Sequence, residues 1–210
     1  MTLSKFRAWK SAAIRGDAEA QFYVGNMYAD GTGQRKSAKK AVEWFLKAAT
    51  QGHPDAQYNL GRMYDTGEGV RKDTVEAVKW YRKAARQGHP NAQFNLGVSY
   101  AEGEGVQRNA ILAVKWYGRA AAQGHLKSQY NLALVFAQGQ GVRTNSSRAV
   151  DWFRRAAKRG HAKAQNWLGN MYAEGCGVPR DIAKARKWYR RAASQGDCDA
   201  RYNLEAYSAR

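Results

Sequence analysis

The chain has 210 residues, an apolar fraction of 44% and a net charge of +18. That is enough apolar material for a continuous core, yet no stretch approaches the roughly 20 apolar residues a membrane helix needs. The basic, mixed start lacks the apolar core of a signal peptide, so a cytoplasmic protein is expected.

Residues 1–16 read as one capping helix, with Trp9 in the place Phe45 takes later. From Asp17 the chain repeats every 36 residues. Tryptophan falls at positions 44, 80, 116, 152 and 188, and glycine at 16, 52, 88, 124, 160 and 196. A fixed period of this length is the mark of stacked structural units. The units are 17–52, 53–88, 89–124, 125–160 and 161–196, followed by a capping helix at 197–210, and together they predict one solenoid domain.

The second unit serves as the pattern. Ala56, Leu60, Gly61 and Tyr64 lie on one face of a first-type helix. Gly67 and Gly69 end it, because glycine accepts the left-handed backbone of a C-terminal cap. Asp73 (Asn109, Asn145 and Asp181 in later units) then caps a second-type helix that buries Ala77, Trp80, Tyr81, Ala84 and Ala85. No window alternates as a strand would, so the predicted fold is all-α, about 12 helices. In the last unit Glu205 replaces the packing glycine and Ser208 the tyrosine, as a polar end cap requires.

The strings AQYNLGRMYDTGEGV and AVKWYRKAA of the second unit and the recurrent QGH, with variants at the same spacing in the other units, resemble Sel1-like repeats, relatives of tetratricopeptide repeats. The resemblance implies a right-handed superhelix with first helices on the concave face and second helices on the convex face. It also implies adaptor work through protein–protein contacts. A cysteine-rich branch of that family is associated with penicillin binding, but its paired cysteines are absent here.

Cys176 and Cys198 are expected at opposite ends of one helix of about 15 residues, roughly 20 Å apart. A bridge needs Cα atoms within about 7 Å, so both are expected as free thiols. The four histidines, His53, His89, His125 and His161, share one repeat position just after a glycine. Units stack roughly 8–10 Å apart, so these rings cannot share a metal, and polar helix starts are expected instead. The GEGV loops lack the lysine and hydroxyl of a phosphate loop. No catalytic set interrupts the pattern. Neither an enzyme nor a cofactor, metal or small-molecule substrate is expected.

Charge is distributed unevenly. The second-type helices with their leading loops carry a net +25, the first-type helices −5, and Glu68 and Glu104 the remaining −2. The concave face instead carries amides: Asn59, Asn95, Asn131 and Asn203, with Asn26 and Asn170 one turn further along. Arg62, Val98 and Leu134 share the column of Asn26 and Asn170. The fifth unit departs from the rest, with Asn166 in the aromatic column and Trp167 in the asparagine column. These ten residues (Asn26, Asn59, Arg62, Asn95, Val98, Asn131, Leu134, Trp167, Asn170 and Asn203) are the expected binding face. Asparagine suits an extended peptide backbone because it both donates and accepts. Exposed tryptophan is a favoured anchor.

The expected protein is thus a monomeric adaptor that holds a protein or peptide, with the net charge favouring an acidic one. The alternative is a polyanion binder, of nucleic acid, anionic membrane or acidic protein, through the basic convex layer.

Overall fold

The computed structural model describes residues 3–207. Ser208, expected to mark the decay of the last unit, lies outside them. The described residues form twelve α-helices and no strand. They fall in two compact units, Met1–Arg108 and Asn109–Arg210. The first holds α1 (Leu3–Ile14), α2 (Ala18–Asp30), α3 (Ala38–Thr50), α4 (Pro54–Thr66), α5 (Thr74–Arg86) and α6 (Pro90–Glu102). The second holds α7 (Ala110–Ala122), α8 (Leu126–Gln138), α9 (Ser146–Lys158), α10 (Ala162–Glu174), α11 (Ile182–Ala193) and α12 (Cys198–Ala206). Within each unit every helix packs against its sequence neighbours.

The helix boundaries follow from the local sequence. Asp73 accepts a hydrogen bond from the Glu76 amide at 2.9 Å, and Asn109, Asn145 and Asp181 do the same for α7, α9 and α11. Helices α2, α4, α6, α8 and α10 end on left-handed glycines such as Gly67, whose N–H bonds Met63 O at 2.9 Å. The histidines are N-caps. Nδ1 of His53, His89, His125 and His161 accepts from the amide three residues on, at 3.1–3.3 Å. Asp17 and Asp197 take the same role in α2 and α12. An accepting Nδ1 requires a neutral ring. Burial favours this, pushing His89, His125 and His161 below the usual imidazole range.

Trp80 and Tyr81 are both buried as expected, but the tryptophan column is not buried in every unit. Trp80 and Trp116 are buried, but Trp44, Trp152 and Trp188 are only half-buried. The rings one residue later are the true core: Phe45 (2% exposed), Tyr81 (2%), Phe153 (0%) and Tyr189 (1%). Neighbouring helical residues point about 100° apart, so one of each pair faces the adjacent first-type helix and the other its edge. There the packing glycine explains itself. A Cβ on Gly61 would sit 2.7 Å from the Tyr81 ring, and Gly25 and Gly169 are as close to Phe45 and Tyr189. The tryptophans at the edge are covered from outside by a cation three residues on: Lys47, Lys83, Arg119, Arg155 and Arg191, at 3.9–4.8 Å.

The cysteines also sit differently. Cys176 lies in the loop before α11 and Cys198 opens α12, so they flank a shorter helix than expected. Both are exposed and free.

A buried glutamine seam, absent from the expectations above, ties the layers together. Gln57 Nε2 donates to Ala49 O at 3.1 Å, and its Oε1 accepts from Gln87 at 2.8 Å, which also reaches Gly52 O. Gln21 with Gln51, and Gln165 with Gln195, repeat the link. Arg159 occupies the linking position for Gln129. It donates to Gly124 O instead, leaving Gln129 Oε1 buried without a partner. Arg159→Gln is therefore expected to stabilise the chain by about 1 kcal/mol, the worth of a restored buried hydrogen bond. Thermal melting checks this, and an unchanged or lower Tm would sink the explanation.

Candidate functional site

The first-type helices bury Ala, Gln, Leu and Gly on one stripe, which turns the neighbouring positions to its rim. All of the expected site residues are half-buried there except Arg62, which is exposed. In the first unit Asn59 Nδ2 donates to Asn26 Oδ1 at 3.3 Å. In the second, Asn203 Nδ2 is 3.2 Å from Asn170 Oδ1, which also accepts from the Tyr189 hydroxyl at 2.8 Å. The amides thus pair across repeats. Each side chain has two donor hydrogens and two acceptor lone pairs, so one such bond leaves most of that capacity for a ligand.

Trp167 is half-buried. One face lies parallel to Phe153, with centroids 5.6 Å apart and planes 3° apart. Burial raises the pKa of Tyr130, which packs on Phe153 as well. Leu134 packs against the same core cluster, so the two side chains present an apolar rim in the second unit. Val98 belongs to the first unit.

Asn166 has its own local reason. Phe22, Tyr58 and Tyr130 stack on the histidine cap of the next repeat, at 4.5–4.6 Å. The cap after Asn166 is Asp197, which needs no ring. Asn166 is instead buried and accepts from Asn203 Nδ2 at 3.0 Å.

The first unit also contains two clefts at equivalent repeat positions. One, of about 100 Å³, is lined by Asn26, Asp30, Asn59, Arg62 and Glu68 over Phe45 and Met63. The other, of about 280 Å³, has Asp65, Tyr81, Asn95, Val98 and Glu104 in its wall. The Tyr81 hydroxyl donates to Asp65 Oδ2 at 3.1 Å. Burial, then the Asp65 charge, pushes the Tyr81 pKa up, so the phenol stays a donor. Asp65 and Glu104 were not among the expected site residues. The signal for Asp65 was present in its column, where Ala29, Ala101, Ala137 and Ala173 hold the other units.

Among the described residues no group of His, Cys, Asp or Glu is placed to hold a metal ion, and no helix is long and apolar enough to cross a membrane.

The Sel1 repeat pattern matches residues 18–53, 54–89, 90–125, 126–161 and 162–197, one residue later than the glycine frame. No curated protein matches the sequence. Among solved structures, the chain is similar to c5321, a protective antigen of uropathogenic Escherichia coli displaying an SLR fold, with TM-score 0.91 and 38% identity. The match covers 93% of this chain but only 42% of the antigen's length. A Sel1 repeat protein of Oxalobacter formigenes matches with TM-score 0.82 and 41% identity, covering 90% of this chain and 75% of that one. The immunity protein Pa5087 of Pseudomonas aeruginosa shares the fold alone, at TM-score 0.50 and 23% identity over 87% of this chain and 67% of its own. The fold is the all-α solenoid of these proteins.

Proposed function

Because this chain belongs to the Sel1 repeat family, whose repeats serve as protein–protein interaction scaffolds, we propose that it is a non-enzymatic adaptor holding a protein or peptide along its first-helix face. The observation that carries this reading is the pairing of chemistries on that face. A half-buried indole stacked on Phe153 stands among a row of amides. A ring already fixed loses little entropy on binding, and the amides suit a peptide backbone whose side chains vary.

The test begins with a partner captured by pull-down and identified by mass spectrometry. Trp167→Ala is then expected to weaken its binding by about 2 kcal/mol or more, as hot-spot aromatics do. Reversing the charge of exposed Lys187 and Arg190, in the second-helix layer, is expected to leave binding nearly unchanged at matched ionic strength. The opposite pattern would refute the groove reading.

A second reading rests on the +25 carried by the second-type helices and their loops. It makes the basic layer a polyanion surface. Its signature is an affinity that falls log-linearly with salt and is indifferent to Trp167.

A further inference from the structure

The larger of the two clefts in the first unit departs from its smaller equivalent in two ways and keeps one carboxylate. Asp65 stands in a column of alanines. Val98 stands where the preceding repeat carries Arg62, so no cation lines this cleft, whereas Arg62 lines the smaller one. Glu104 keeps the carboxylate of Glu68, which becomes Gln140 and Cys176 in later repeats. Two carboxylates therefore converge on one pocket whose floor is Ala77, Val78 and Phe94. Asp65 is half-buried and already bonded to Tyr81. That fixes its position while leaving lone pairs available.

We propose that this cleft anchors a cationic side chain, an arginine, of an extended partner segment, so that the groove selects basic peptides although the protein is itself strongly basic. This rests on the groove reading above and names its partner class. An arginine stem fits an apolar floor, and its planar fork matches two carboxylates better than the point charge of lysine. The net charge of +18 opposes this at long range. At physiological salt such repulsion is screened within about 8 Å, while the paired carboxylates act at contact. Total charge favours an acidic partner, but in this cleft the contact chemistry favours a basic one.

The test uses the full chain and a nine-residue proline-containing peptide with arginine at every third position. Its controls replace arginine by citrulline, lysine or glutamate. Binding is read by fluorescence anisotropy and located by amide chemical shifts. The arginine peptide is expected to shift the amides of Asp65, Asn95, Val98 and Glu104. Citrulline should weaken it about tenfold, in keeping with the loss of charge-assisted bidentate bonds. Glu104→Gln, at an exposed position, and Asp65→Asn, which keeps an acceptor for Tyr81, should each weaken binding about fivefold or more with Tm unchanged.

Arginine binding untouched by both variants would overturn the proposal, as would failure of every peptide to shift those amides. A glutamate peptide seated in the same cleft would overturn the cationic pocket while leaving groove docking intact. Failure of Trp167→Ala to weaken the captured partner would count against the groove itself, so the two readings fail separately.

Discussion

Phe153→Ala is expected to cost about 3–5 kcal/mol, the range for removing a fully buried aromatic ring. Phe153 is 0% exposed, sits 6.0 Å from Tyr130 and forms the platform under Trp167. Trp152→Ala, one residue earlier and a larger truncation, should cost less. Its ring is half-buried, and its outer face meets Arg155 at 4.6 Å, in reach of solvent. For a chain of this size the first change corresponds to roughly 10 °C in Tm. Circular dichroism melts of both variants settle the order. A larger loss for Trp152→Ala would mean that the tryptophan column is the core after all.

Gly105→Ala is the second large effect. Gly105 has φ +68, and a Cβ there would lie 2.2 Å from Thr74 O, in the opening turn of α5. Left-handed backbone costs alanine about 1–2 kcal/mol, and forcing two backbones apart adds about 1–3 kcal/mol. We expect a total near 3 kcal/mol. Gly52→Ala is the control. Its φ is +96, but nothing lies within 4 Å of the added Cβ. It should cost only the backbone component, about 1–2 kcal/mol. Equal losses in denaturant titrations of the two variants would show that the close approach to Thr74 contributes nothing.

The 36-residue period, the helices and their caps were all legible in the chain. Each is set within a few residues along it: Asp73 bonds the amide of Glu76, His53 that of Ala56, and Gly67 turns left-handed because it has no Cβ. The histidines read correctly as helix starts for the same reason. The repeat columns were legible too, since equal spacing on equal helices brings equal positions to one side of each unit.

What the tertiary structure decided concerns contacts between helices. Trp44 and Phe45 are equally apolar in the sequence, and only the glycine of the facing helix makes Phe45 the buried one. Gln57 looks like any polar residue until Ala49 O and Gln87 enclose it. Trp167 becomes half-buried because Phe153, fourteen residues away, offers a parallel ring. Asp65 and Glu104, nearly forty residues apart, line one cleft only when α4, α5 and α6 stack. Backbone hydrogen bonds within a helix reach four residues, so the chain alone specifies where helices begin and end. Which side of a helix is covered, and by which side chain, depends on a neighbour in another helix.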